Sequence, residues 1–382
     1  MQAVIRAVRE FIKKADMILL ILCITATIFG VVIIASATNY LGNSRYILVQ
    51  LAALALGIIL YVFLTLVDVD IIAERRELLL IFCLVFIATL RFFGVVRGGN
   101  RSWLDFSWLP FNIQPGEICK IFFIIIIAKI MSVKQNKLSS PWTVAQLAGI
   151  TLLFAGAIMY FSWDDGIALN YILIFVIMAF TGGVGGGWFI AALGTLLVLS
   201  PIVFSKLDTY QQERILVLFD PTIDPMATGI RWQMNRSLRM LKNGGMAGQG
   251  LFNGSMVQSG SLSAQHTDFI FSSTGEELGM IGCLLILLIL CAIILRCVQV
   301  GIKSENYMNR LICLGIAGLL TSQTAVNVGM CLGVFPVVGL TLPFISYGGS
   351  SIVTMFAAMG IVSGIYMRPA PDASARYIRP KM

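Results

Sequence analysis

The sequence predicts an all-α polytopic membrane protein of about ten transmembrane helices, with one long extracytoplasmic loop between helices seven and eight. Three observations predict it. Of 382 residues, 58% are apolar and only 12% charged, whereas soluble proteins average about 25% charged. The mean hydropathy is +0.89. Apolar runs of about 17–25 residues recur along the chain, long enough to cross a hydrocarbon core about 30 Å thick. The runs are continuous instead of alternating, so helices and not a barrel satisfy the backbone in lipid.

Taken in order, residues 1–16 form an amphipathic cytoplasmic N-terminus. Val4, Ile5, Val8, Phe11 and Ile12 share one helical face, opposite Arg6, Arg9, Lys13 and Lys14, a pattern that suits an anionic membrane surface. A single membrane domain follows over 17–367, with spans expected at 17–37, 46–67, 78–96, 115–133, 143–162, 166–182, 187–206, 269–296, 310–333 and 343–367. Ala35-Ser36-Ala37 has the form of a cleavage site. The apolar run before it exceeds the roughly 7–15 residues of a signal peptide, so the first span is expected to be retained. Asp164 and Asp165 at the mouth of the sixth span, and the glycines at 182–187 after it, leave a re-entrant hairpin as the alternative there. Residues 368–382 form a basic cytoplasmic tail.

Charge sets the orientation. With the N-terminus inside, the cytoplasmic segments hold fifteen Lys and Arg, and the short outer loops only Arg45, Arg97 and Arg101. That asymmetry places both termini in the cytoplasm and the loop 207–268 outside. The net charge of +8 therefore reports topology and contact with membrane lipids, not a nucleic-acid surface. All eight cysteines lie in or at the ends of apolar runs, which argues against a disulfide framework or a zinc site. No nucleotide loop, metalloprotease helix or serine-hydrolase elbow is present, so any chemistry falls to carboxylates.

Charges at membrane depth are costly and usually functional. Pro115 opens the fourth span in its favoured first position, and Glu117 and Lys120, three apart on one helical face, are either a pair lining a cavity or a structural bridge. Asp164 is a cavity wall or a solvated turn. Arg101, beside Trp103, is a headgroup ligand or an interfacial anchor. The loop segment 233–241 is amphipathic, with Arg236 and Arg239 three apart. Cations beside an acid at the outer surface point to a phosphorylated lipid substrate, since cations hold phosphate while a carboxylate takes a proton. Residues 244–279 gather the polar and flexible side chains, with the only histidine, His266, then Thr267, Asp268 and the acids Glu276 and Glu277. Asp268, at the brink of the eighth span, is a general base whose desolvation raises its pKa, or the N-cap of that helix.

The chain resembles the SEDS family (shape, elongation, division and sporulation; RodA/FtsW/SpoVE), closest to its elongation branch, from about Asp16 to Met367. The resemblance is carried by Gly99-Asn100-Arg101-Ser102-Trp103, Gln114-Pro115-Gly116-Glu117-Ile118-Cys119-Lys120, Tyr210-Gln211-Gln212-Glu213-Arg214 leading to Asp220-Pro221, and Gly244-Gly245. To these it adds His266-Thr267-Asp268-Phe269 with Glu276-Glu277-Leu278-Gly279, and Pro343-Phe344-Ile345-Ser346-Tyr347-Gly348-Gly349-Ser350. It implies a peptidoglycan glycosyltransferase that polymerises lipid II, the undecaprenyl-pyrophosphate-linked disaccharide peptide, with Asp268 as base. It also implies substrate contacts from Arg101, Glu117, Lys120, Asp164, Gln233, His266, Thr267 and Ser346. The implied partners are a class B penicillin-binding protein and other elongation-complex proteins. No resident cofactor is expected, apart from a divalent cation that could bridge Asp268 to pyrophosphate. The sequence departs from the family pattern at Leu262-Ser263-Ala264, Gly248-Gln249-Gly250 and Ser162-Trp163-Asp164-Asp165-Gly166-Ile167, so that an acid and a cation are missing. The rival readings are a lipid II flippase and a catalytically silent scaffold.

Overall fold

The computed structural model describes residues 11–97, 99–107, 109–217 and 230–368. The expected N-terminal amphipathic helix falls largely, and the basic tail beyond Arg368 entirely, outside the described residues, as does Asp220-Pro221. In chain order the helices are α1 (Met17–Ala37), α2 (Arg45–Leu66), α3 (Val69–Glu74), α4 (Arg76–Ala88) and α5 (Leu90–Phe93), followed by strands β1 (Gly94–Arg97) and β2 (Asn100–Leu104). Then come α6 (Pro115–Val133), α7 (Pro141–Ser162), α8 (Asp165–Thr181), α9 (Gly186–Lys206), α10 (Thr209–Leu216), α11 (Ile230–Gly244) and α12 (Ser255–Gln258). The last three are α13 (Ile270–Lys303), α14 (Tyr307–Cys331) and α15 (Gly349–Met367). Six of them, α1, α2, α7, α13, α14 and α15, are each long and apolar enough to cross a membrane. With the shorter apolar helices they make the all-α polytopic membrane fold that the sequence predicts.

Three boundaries differ from expectation, each for a local reason. The third span closes at Phe93, and Gly94 turns the chain into an antiparallel hairpin, β1 against β2. The sixth and seventh spans, by contrast, are the two separate helices expected, α8 and α9, of 17 and 21 residues. The last span starts at Gly349, because Gly348 at the N-cap is extended (φ 170°, ψ 98°) and the loop before it is tied to the strip at His266 and Thr267. The eighth extends to Lys303 but is broken at Gly279 (φ 66°, ψ −165°).

That break is stapled by the glycine-rich loop. The carbonyls of Glu276 and Glu277 accept from the N–H groups of Gln249 and Gly250, both at 2.9 Å, while the Met280 N–H donates to the Gly245 carbonyl at 2.9 Å. Backbone groups freed by the non-helical residue are thus satisfied by another backbone. Contact this close requires glycine on both sides: a Cβ on Gly248 would stand 2.1 Å from the Glu277 carbonyl oxygen, and one on Gly279 would stand 2.4 Å from the Gly248 nitrogen.

The centre of the bundle is α15, packed chiefly on α2, with α14 between α13 and α8. Gly360 of α15 lies against the backbone of Tyr61, where a Cβ would come within 2.7 Å of the Tyr61 carbonyl oxygen. Small residues bring helices together in lipid, where apolar burial contributes little. At the end of the bundle remote from Asp268, the Asp16 carboxylate receives Arg296 in a forked pair, Nε at 2.8 Å and Nη2 at 3.1 Å, tying α1 to α13. By contrast α9 is exposed along nearly its whole length, with Ile190 75% and Val198 74% accessible.

Candidate active site

Three chain segments meet at Asp268. The strip His266-Thr267-Asp268 runs beside the loop that precedes α15: the Tyr347 N–H donates to the His266 carbonyl (2.9 Å) and the Ser346 hydroxyl to the Thr267 carbonyl (2.6 Å). The Asp268 carbonyl accepts from the Asn327 amide of α14 at 2.8 Å, and the same amide donates to the Leu340 carbonyl at 2.7 Å. The backbone is therefore held from two sides, while the Asp268 carboxylate makes no hydrogen bond with a described residue. Nor does it cap α13: the N-cap residue is Phe269, without a side-chain bond. Desolvation, aided by the nearby charge of Asp164, raises the Asp268 carboxyl from its ordinary 3.8 to about 6. A carboxyl so tuned is a proton acceptor near neutral pH.

Asp164 is buried at the start of α8. It accepts from the Ile167 N–H (3.0 Å) and from the Ser102 hydroxyl of β2 (2.9 Å). One residue away on each side, the Arg101 guanidinium lies 4.2 Å over the Trp163 ring. The hairpin β1–β2 thus fastens Arg101 and Asp164 together through paired contacts. The Lys120 Nζ donates to the Glu117 Oε1 at 2.6 Å, both side chains are buried, and Asp164 senses the charge of each.

His266 is partly buried, and desolvation lowers its pKa, so its imidazole is neutral at pH 7. Thr267 donates its hydroxyl to the Ala264 carbonyl (3.2 Å). Ser346 is buried, accepting from the Leu342 N–H (2.8 Å) as well as donating to Thr267, so its hydroxyl holds the loop. Gln233 stays on α11, bonded to Ser263 at 3.0 Å, and Arg236 lies 4.3 Å over Trp232 and donates to the Ser261 carbonyl. The departures of sequence have local uses: the Gln249 side chain accepts from the Ser255 N–H at the start of α12 (2.8 Å), and Ala264 takes φ 57°. Among the described residues, no group of three or more His, Cys, Asp or Glu could hold a metal ion.

Next to Asp165 lies an apolar recess of about 280 Å³ lined by Met159, Leu169, Ile172, Ile215 and Val338, with Gln211 donating to the Asp165 carboxylate at 2.8 Å. Sequence reasoning named Ser102 only within the Gly99 to Trp103 string and passed over Asn327, Tyr46 and Gln50. Of these only Asn327 carried a signal: with Gln323 it is an amide at i, i+4 spacing inside an apolar run.

Fold and site together define a polytopic α-helical membrane protein with an acidic centre at one end of its bundle. The chain belongs to the SEDS family: the FtsW/RodA/SpoVE cell cycle protein family matches residues 16–369. It is 34% identical over 370 residues to a probable peptidoglycan glycosyltransferase FtsW of Geobacter sulfurreducens, covering 94% of this chain and 96% of the relative. To the peptidoglycan glycosyltransferase MrdB of Escherichia coli it is 28% identical, over 83% and 84% of the two chains. Among solved structures, a chain described under "Structural coordination of polymerization and crosslinking by a peptidoglycan synthase complex" superposes with a TM-score of 0.79 at 27% identity, covering 95% of this chain and 99% of that one.

Proposed function

We propose that the chain is a peptidoglycan glycosyltransferase of the bacterial cytoplasmic membrane that polymerises lipid II at the outer face during cell-wall elongation. The observation that carries the reading is the Asp268 carboxylate, fixed through its backbone, without a hydrogen bond from any described residue at its oxygens and raised to about 6. The names of relatives aligned over nearly the whole chain support it.

In this reading Asp268 takes the proton of an acceptor sugar hydroxyl. The O–H pair becomes the bond from that oxygen to the donor's anomeric carbon. The bond from that carbon to the pyrophosphate breaks, its electrons leaving with the phosphate, and the anomeric centre inverts without a covalent enzyme intermediate. Arg101, held over the Trp163 ring next to Asp164, supplies a cation for the phosphate charge. The apolar recess beside Asp165 suits the first isoprene units of the carrier lipid. A divalent ion, where the reaction uses one, would be held by Asp268 together with the substrate and would neutralise pyrophosphate charge. Both termini are cytoplasmic in this topology, and a class B penicillin-binding protein supplies crosslinking.

The test is glycan formation from purified lipid II by the full chain in detergent, beside its cognate penicillin-binding protein and with no other glycosyltransferase present. Polymer supports the reading. Its absence, with the complex intact, shifts the assignment to a carrier or scaffold.

A further inference from the structure

Three aromatic rings from distant parts of the chain meet at the strip that leads to Asp268. Tyr46 lies in the first turn of α2, His266 is two residues before Asp268, and Tyr347 belongs to the loop before α15. Their centroids are 5.0 Å (Tyr46–His266), 5.1 Å (Tyr46–Tyr347) and 5.6 Å (His266–Tyr347) apart, at steep interplanar angles. None of the three is fully buried. The rings are held by more than their own contacts. One turn along α2 from Tyr46, the buried Gln50 donates from Nε2 to the Ser346 carbonyl (3.0 Å) and accepts at Oε1 from the Gly348 N–H (3.2 Å). Its amide thus brackets Tyr347 from both sides, and the Tyr347 N–H is itself fixed on the His266 carbonyl. Arg45 adjoins Tyr46 in the chain, and its charge, like that of Arg97, reaches the Tyr347 ring.

A cluster serving only to close the fold would be driven into the core, where aromatic rings contribute most. Here the polar anchors (Gln50, Ser346) are buried while the rings stay accessible. Rigid, partly exposed aromatic faces with a cation beside them, a few residues from a general base, fit a pyranose: its axial C–H groups lie on a ring face while its hydroxyls reach polar neighbours. We infer that Tyr46, His266 and Tyr347 form a saccharide-binding shelf that seats the N-acetylhexosamine ring presented to Asp268. This rests on the glycosyltransferase reading and adds the subsite.

The test uses the full chain with Asp268→Asn and, as probe, the soluble GlcNAc–MurNAc disaccharide, which has no pyrophosphate to lose, followed by saturation-transfer NMR. The shelf predicts signal on the sugar C–H protons, which Tyr46→Leu with Tyr347→Leu abolishes at unchanged melting temperature. In the active protein, Tyr46→Leu raises KM for lipid II by about tenfold, the equivalent of one lost aromatic contact, with a smaller change in kcat. Tyr46→Phe recovers most of that KM. No disaccharide signal from the Asp268→Asn protein, or equal signal after both leucine substitutions, overturns the shelf even if the chain polymerises lipid II. Signal that depends on the tyrosines in a chain that makes no polymer sustains the shelf while removing the glycosyltransferase reading.

Discussion

Asn327 and Asp268 are joined by a bond that leaves the reactive atoms alone: the Asn327 amide donates to the Asp268 backbone carbonyl at 2.8 Å, not to its carboxylate. The second amide hydrogen binds Leu340 at 2.7 Å. One buried side chain thus sets where the carboxylate stands relative to the loop before α15 without quenching its basicity.

Replacing it tests that role. Asn327→Leu leaves the Leu340 carbonyl without a donor and the Asp268 carbonyl with only the weak Cys331 thiol at 3.8 Å, at a cost of about 1–3 kcal/mol for a buried carbonyl left unpaired. Because a shift of about 1 Å can cost 10²-fold in rate, kcat for polymerisation should fall at least about tenfold at temperatures where the variant remains folded. Thermal unfolding and initial rates, measured together, separate the two effects.

A pH profile checks the tuning of Asp268. The carboxylate must be ionised to accept a proton, so kcat/KM should rise with pH up to about 6 and then level. Asp164→Asn removes the neighbouring charge that helps raise Asp268, so the acidic limb should move to lower pH. An unmoved limb would show that Asp164 has no electrostatic hold on the site.

The stapled break in α13 gives a stability contrast. Gly279→Ala places a methyl within 2.4 Å of the Gly248 nitrogen at a positive φ, and should abolish folding or lower Tm sharply. Gly149→Ala, in α7 with nothing within 4 Å of the added carbon, should be neutral or stabilising by about 1 kcal/mol. Detergent melting curves of the two variants decide it.

The pair Glu117–Lys120 gives another. Lys120→Met strands a buried carboxylate and should cost about 3–5 kcal/mol, whereas Lys120→Met with Glu117→Gln restores much of the stability. If the double variant folds yet fails to polymerise, the pair acts on substrate; if it is active, the pair is a structural bridge.

Much of this was legible in the sequence, and the reason differs from element to element. Continuous apolar runs make helices such as α1 and α2 visible, because lipid leaves the backbone no alternative. The hairpin Gly94–Leu104 was not, since Val95 and Val96 continue the apolar run that feeds it. The break at Gly279 also escaped notice: it is stabilised by backbone groups at 245–250, and a long-range pairing of this kind has no local period. At the site, Asp268 stood out as an acid beside a membrane span. Asn327 and Gln50 did not, because an amide in an apolar helix declares itself only when the carbonyl it meets is known.

The central claim is that the Asp268 carboxylate, and not merely the fold around it, removes the acceptor's proton. The direct measurement is polymer formed from lipid II, at equal protein and partner concentration, by wild type, Asp268→Asn and Asp268→Ala. Folding controls are built in. The folded state holds the Asp268 proton more tightly than the unfolded chain, so stability falls as pH climbs from about 4 through about 6, and the asparagine variant, free of that loss, should melt no earlier than wild type at pH 7. Polymer from wild type and none from either folded variant is the predicted result. Polymer from Asp268→Asn at a rate near wild type would contradict the account.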